Sequence, residues 1–204
     1  QHNNVIESAK KAGVKHIIYT SLLGATNDNT VKSLAGEHVE TEAALKASGI
    51  TYTILRNGWY TENYTASIPA ALANNAFYGS AKNGKISSVL RAELAEAAVN
   101  VALSEGHENQ TYELAGSTSW TLADLAAEIS KQTGKGIPYV DIPAAAYAAA
   151  LVQAGLNEGF AGLIAQWDVD ASNGALFSED KTLDKLLGRP TAGLDVAVKQ
   201  ALDH

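Results

Sequence analysis

Neither cysteine nor methionine occurs in the chain. Without thiols there is no disulfide, no thiolate nucleophile and no Cys-ligated zinc or iron–sulfur centre, and the redox compartment stays undetermined. Positive charge is scarce as well: 15 Lys and Arg stand against 22 Asp and Glu, a net charge of −7. That sign argues against nucleic acid or an anionic membrane as the main partner. No apolar run approaches the ~18 residues of a membrane-crossing helix, and no signal-peptide pattern opens the chain. Glycine-rich phosphate turns of the G-x-G-x-x-G or G-x-x-G-x-x-G kind are missing; Gly155, Gly159 and Gly162 have the wrong spacing for either. A Walker lysine, His-Glu-x-x-His and Gly-x-Ser-x-Gly are also absent, which argues against P-loop enzymes, metal hydrolases and serine hydrolases.

What is present alternates between helix and strand. Residues 1–12 place Val5, Ile6, Ala9 and Ala12 on one helical face, with Gly13 as the stop. A chain that opens inside such a unit, on a glutamine too bulky for easy removal of an initiator methionine, is expected to be the C-terminal part of a larger protein. His16 to Leu23 reads as a buried strand, Gly24 to Ser33 as a loop, Leu34 to Ser48 as a helix ended by Gly49, and Ile50 to Leu55 as a second strand. Glycine-stopped helices between short apolar runs are the α/β pattern, and linkers this brief join parallel strands.

Beyond Leu55 the pattern loosens. Arg56 to Tyr64 reads as a polar–aromatic loop, Ala66 to Ala73 as a short helix entered near Pro69, and Ala76–Tyr78 and Ile86–Val89 as strand pieces around an Asn83-Gly84 turn. Arg91 to Leu103 is a helix and Thr111 to Ala115 a strand. Thr121 caps a helix that runs to Gln132 before Gly134, and Tyr139 to Ile142 is a strand. From Pro143 onward the chain is mostly Ala-rich helix, broken at Gly155, at Asn173-Gly174 and at Gly188-Arg189-Pro190. The expected fold class is α/β: the C-terminal part of a Rossmann-like parallel sheet with helices on both faces, plus a small, mainly helical C-terminal domain. Residues 1–64 are expected to form the second half of the sheet domain. Residues 65–204 form a mixed region of returning strands and the small subdomain. Half a sheet, apolar on both faces, presents an open edge where earlier strands belong.

Ligands of open α/β sheets bind outside the carboxyl ends of the strands, which directs attention to Ser21 and to the segment after Leu55. Thr20 and Ser21 stand either to donate to a ligand or to satisfy loop backbone. His38, with Glu42 one turn later, is either a proton donor with a raised pKa or a solvated helix contact. Asn57 to Tyr64 offers two amides, a glycine and three aromatics: a stacking surface for a flat ring, or a clamp between sheet and appendage. Tyr78 and Lys82 have Tyr-x-x-x-Lys spacing, but the Asn83-Gly84-Lys85 turn that follows favours a strand running into a turn over a catalytic pair.

Five segments carry a resemblance: Tyr19-Thr20-Ser21-Leu22-Leu23, Glu37-His38-Val39-Glu40-Thr41-Glu42, Tyr52 through Arg56-Asn57-Gly58-Trp59-Tyr60 to Tyr64, Tyr112-Glu113-Leu114-Ala115-Gly116 and Gly188-Arg189-Pro190-Thr191. Together they resemble the NmrA-like atypical short-chain dehydrogenases, nearest to the bacterial NAD(P)H:quinone reductases of that group. The likeness runs over essentially the whole chain, and Arg56 to Tyr60 is its most specific part. It implies a Rossmann sheet with a small C-terminal domain and a cleft between them for NADPH (NADH being possible) and a quinone or related aromatic acceptor. Hydride would pass directly, with no flavin and no metal.

The resemblance further implies cofactor contacts at Asn57, Gly58, Trp59, Tyr60, Thr61 and Glu62, with Ser87 and Arg91 opposite. It puts Asn63 beside the nicotinamide as a catalytic residue and Ser21, Trp59 and Tyr60 at the substrate. Related phenylcoumaran and pinoresinol reductases carry a lysine acid at the position of His38, so His38 is the candidate acid, although a quinone needs little acid help. A cytoplasmic enzyme without nucleic-acid or membrane partners follows, with a homodimer left open. NmrA-like proteins also include redox-sensing regulators that bind the dinucleotide without turnover, which is the alternative function. The chain departs from the family in lacking the first strand–helix unit with its glycine-rich turn. A protein of these residues alone is expected to be inactive, because the pyrophosphate has no helix N-terminus to rest on.

Overall fold

Short β-rich runs between glycine-stopped helices form the parallel sheet of the computed structural model, which describes residues 1–203. In chain order the elements are α1 (His2–Lys11), β1 (His16–Leu22), α2 (Lys32–Ala47), β2 (Thr51–Asn57), α3 (Glu62–Thr65), α4 (Ile68–Asn74) and β3 (Phe77–Gly79). There follow α5 (Arg91–Leu103), β4 (Gln110–Leu114), α6 (Leu122–Thr133), β5 (Tyr139–Asp141), α7 (Ala144–Gln153), α8 (Glu158–Ser172), α9 (Thr182–Leu187) and α10 (Leu194–Leu202). Strands β1, β2 and β4 pair in that order, all parallel, and among the described residues no strand covers the outer edge of β1.

Period-two alternation decides which face each residue occupies. Ile18 of β1, Leu55 of β2 and Tyr112 and Leu114 of β4 turn to one side, where they meet Leu94, Ala97 and Val101 of α5 and Leu183 of α9. Tyr19, Ser21, Arg56 and Glu113 turn to the other, toward α2. Helices therefore cover both faces, as the sequence pattern implies. The second unit is built on the parallel pair β3–β5, with Ile68, Phe77, Leu122, Leu125, Ile129 and Val198 in its core. Thr121 opens α6 with a reciprocal cap: its hydroxyl accepts from the Asp124 N–H while the Asp124 carboxylate accepts from its own N–H.

Four expectations are corrected. β2 runs on through Arg56 and Asn57, because carboxylates bury the guanidinium and keep the chain in the sheet. Ala76–Tyr78 and Ile86–Val89 do not form a hairpin. β3 pairs with β5, and Ile86 and Val89 make single bridges to Trp120 and Tyr60, while Gly84 packs against the backbone of Ala171 and Ser172 at the end of α8. The helix expected at 66–73 is α4, shifted to Ile68–Asn74, while the Arg56–Tyr64 stretch expected as a loop holds the end of β2 and most of the short helix α3. On α1 only Ile6 of the apolar face is buried, and Val5 is 66% exposed.

Candidate active site

A row of residues crosses the sheet one position below its carboxyl edge: Ser21 lies beside Arg56, and Arg56 beside Glu113. Arg56 is 8% exposed and Glu42 of α2, lying over it, 2%. The guanidinium grips Glu42 with two parallel bonds, Nε to Oε1 at 2.9 Å and Nη2 to Oε2 at 2.7 Å, and reaches Glu113 Oε1 at 2.8 Å with Nη1. Such forked pairing offsets the cost of taking both charges out of water. Burial pushes Glu42 up, but the hydrogen bonds from Arg56 and Ser21 outweigh it and hold the carboxyl below its ordinary pKa. The hydrogen bond with Glu42 raises Arg56 above its ordinary value, against its own desolvation.

This cluster fixes the loop that leaves β1. Glu113 Oε2 accepts from the Gly24 N–H at 2.8 Å, and Arg56 Nη1 donates to Thr26 Oγ1 at 3.1 Å. At the exit of β2, the Gly58 N–H donates to the Leu114 carbonyl at 2.8 Å, and a Cβ on Gly58 would lie 2.7 Å from that same oxygen. Only glycine lets the two strand ends stay so close. The chain then turns over the end of α5. The Arg91 guanidinium sits 4.8 Å above the Tyr60 ring, Thr61 and Ser88 hydroxyls bond at 2.7 Å, and Glu62 Oε1 accepts from the Arg91 N–H at 2.9 Å. Arg91 Nη2 donates to Asn63 Oδ1 at 3.1 Å, leaving the amide of that exposed side chain oriented.

Buried side-chain polar atoms without a partner, among the described residues, are Thr30 Oγ1, Asn57 Oδ1 and Glu62 Oε2. Thr30 lies in the segment between β1 and α2, Asn57 ends β2 and Glu62 opens α3. An unsatisfied buried polar atom costs about 1–3 kcal/mol, so each of these atoms is a cost that the fold carries. A depression of about 390 Å³ lies elsewhere, lined by Gln1, His2, Asn3, Glu37, Glu40 and Thr41, between α1 and α2. It adjoins none of the orphaned atoms and is not the site.

The structure brings together Asn57, Gly58, Trp59, Tyr60, Thr61, Glu62, Asn63 and Arg91. Ser87 stands apart from them in role: its buried hydroxyl donates to the Ser178 carbonyl at 2.8 Å and accepts the Ser178 N–H at 3.2 Å, splicing two loops. Ser21 is 5% exposed, and its hydroxyl donates to Glu42 at 2.7 Å, below the carboxyl edge. His38 does not pair with Glu42, which Arg56 and Ser21 claim. Its Nδ1 bonds the Tyr19 hydroxyl at 2.8 Å, and burial, foremost, lowers its pKa where a raised one was expected. Tyr78 and Lys82 are no pair either, since Tyr78 is exposed on β3 and Lys82 lies in a turn at φ +50°. Sequence reading missed Arg56, Glu42 and Glu113 as a unit; the signal was a pair of charges at matching depth in two otherwise β-type runs.

Fold and site define a class: the chain belongs to the NAD(P)H-binding, NmrA-like family. The family model described as NAD(P)H-binding matches residues 1–105. Among relatives, quinone oxidoreductase 2 of Escherichia coli (strain K12) is 54% identical over 198 residues, covering 97% of this chain and 68% of the relative. The crystal structure of an NADPH-dependent quinone oxidoreductase from Escherichia coli superposes with a TM-score of 0.94 at 52% identity, over 98% of this chain and 72% of that one. A triphenylmethane reductase of Citrobacter sp. superposes equally well, at 0.94 and 36% identity, over 100% and 70%. Among the described residues no group of His, Asp and Glu side chains is arranged to hold a metal, and no helix is long and apolar enough to cross a membrane.

Proposed function

We propose that the protein is an NADPH-dependent reductase of quinones and similar flat electrophiles, working in the cytoplasm without flavin or metal. The observation that carries this reading is the pair of orphaned polar atoms, Asn57 Oδ1 and Glu62 Oε2, within the Asn57–Asn63 stretch at the carboxyl edge of a parallel sheet. The 54% identity to a quinone oxidoreductase supports the choice of acceptor. NADPH, when bound, supplies a hydride from C4 of its nicotinamide, a two-electron step that avoids semiquinone radicals.

Asn57 and Glu62 present buried acceptors to the cofactor, and Gly58 admits its close approach to the backbone. Trp59 and Tyr60 shape the pocket for a planar ring. Asn63, its Oδ1 held by Arg91, turns its N–H donors toward the acceptor carbonyl and orients it. The acceptor gains a hydride and leaves as a hydroquinone monoanion, which takes one proton from water. A delocalised phenolate needs no acid from the protein, and His38, whose pKa burial lowers, is not placed to supply one at neutral pH.

The test is NADPH oxidation by the protein with a panel of quinones, repeated with Asn63→Ala. Loss of orientation is expected to lower kcat/KM by about 10- to 100-fold. Unchanged turnover removes Asn63 from the mechanism. NADPH binding without oxidation by any quinone replaces the reductase with a redox-sensing regulator.

A further inference from the structure

Three aromatic rings form a continuous line away from the carboxyl edge of the sheet. Trp59, leaving β2, meets the edge of Trp167 of α8 with centroids 5.3 Å apart and planes at 69°. Trp167 in turn meets Phe160, two turns earlier on the same helix, at 6.0 Å and 80°. Trp59 is 8% exposed, Trp167 is half-buried, and Phe160 is 49% exposed, so the line begins in the site and ends in solvent. Helix α8 is latched to the segment after β1 at two points. Trp167 Nε1–H donates to Ser33 Oγ at 3.0 Å, and Asn29 Nδ2 donates to the Asn173 carbonyl at 2.7 Å. The flanking stretch from Ile142 to Asn157, which includes all of α7, contains no charged residue.

We propose that Trp167 is a specificity-determining residue of the acceptor site, selecting fused-ring aromatic acceptors over single-ring ones. The proposal rests on the reductase reading above and adds the identity of its outer wall. A one-ring acceptor beside Trp59 is accommodated by the Asn57–Tyr60 turn alone. A second fused ring extends past Trp59, where the half-exposed indole of Trp167, held in one orientation by Ser33, offers it a flat partner. Aromatic contacts of this kind are directional, preferring offset or edge-on geometry, so an indole fixed by a hydrogen bond discriminates where a mobile apolar side chain does not. Uncharged surroundings on α7 give a charged acceptor nothing to pair with on this side.

Two measurements test it on the whole protein. In steady-state assays with NADPH, Trp167→Ala is expected to raise KM for 1,4-naphthoquinone roughly fivefold to tenfold, in line with one lost aromatic contact, while 1,4-benzoquinone changes less than about twofold. Trp167→Phe, which keeps a ring but loses the bond to Ser33, recovers part of the difference and guards against a folding defect in the alanine variant. Equal changes for both quinones overturn the proposal. Independently of turnover, 1,4-naphthoquinone is titrated without NADPH against tryptophan fluorescence. Quenching that falls sharply in Trp167→Phe supports the contact; quenching as strong as in the parent, which would then arise at Trp59 or Trp120, overturns it. A protein that oxidises NADPH with no acceptor at all defeats the reductase reading instead, and the fluorescence result still decides whether Trp167 is a contact.

Discussion

Asp168 gives the molecule a pH dependence that follows from its surroundings. The side chain projects from α8 into the second unit, where the residue is 4% exposed. Its Oδ2 accepts the Ser80 N–H at 2.8 Å, and Tyr64, Tyr139 and Tyr147 all lie close enough to feel its charge. Burial dominates and pushes the carboxyl up to about 6; the Ser80 bond pulls it down, and Asp141 adds to the rise. A raised carboxyl means that the native state holds its proton more tightly than the unfolded chain. Stability therefore falls as pH rises from about 4 to about 6, and the whole penalty is present above that window. A gap of about 2 pH units is worth at most about 3 kcal/mol.

Asp168→Asn keeps an oxygen for the Ser80 N–H and removes the charge. The variant is expected to be more stable than the parent by up to about 3 kcal/mol near pH 8, a rise in Tm of about 6–12 °C for a chain of this size, and nearly equal to it near pH 4. Glu42 works in the opposite sense: its lowered pKa contributes stability above its unfolded value that is lost on acidification, so the parent's own curve mixes the two. The difference between variant and parent isolates Asp168. Thermal melts of both proteins across this range give that difference directly. A gap that stays constant with pH, or that widens toward acid, refutes the reasoning.

Two further outcomes follow from the carboxyl edge of the sheet. Arg56→Met takes from Glu113 its cation and leaves Glu42 only the half-exposed Lys46 at 3.7 Å, and is expected to cost about 3–5 kcal/mol in urea unfolding, with Arg56→Lys recovering charge but not the fork and so only part of the loss; a methionine variant as stable as the parent would show that the cluster contributes nothing. Gly58→Ala places a Cβ 2.7 Å from the Leu114 carbonyl and 3.4 Å from that of Ser87. It is expected to cost about 1–3 kcal/mol and to weaken NADPH binding, read by calorimetric titration, since the turn must separate from β4 to make room.

Much of this was legible because local chemistry decided it. Gly13, Gly49 and Gly134 end helices at positive φ, and Thr121 caps α6 through Asp124, so the boundaries sat in the sequence. Asn57 to Asn63 announced itself by following a strand in an α/β chain. What stayed hidden depended on partners distant along the chain. Asn83-Gly84 looks like a hairpin turn, yet Phe77 finds Tyr139, a partner more than sixty residues along the chain. Trp167 carries no local signal at all, and only the packing of α8 on the segment after β1 places it beside Trp59.

His38 and Glu42 show why helical spacing alone misassigned a role. Residues four apart on a helix can meet, and an imidazole beside a carboxylate makes a credible acid. The register of the sheet overrules that pairing, because it sets Arg56 between Ser21 and Glu113, directly under α2. A guanidinium out of water must be matched by carboxylates, and two forked bonds to Glu42 outcompete one bond to an imidazole. His38 is left with Tyr19. The same choice reaches the carboxyl edge of the sheet, since Arg56 and Glu113 hold Thr26 and Gly24 and so the loop that carries Thr30 and leads to Ser33. Strand register, which no local motif encodes, thus takes a charge away from the candidate acid and spends it on fixing the wall against which Trp167 is anchored.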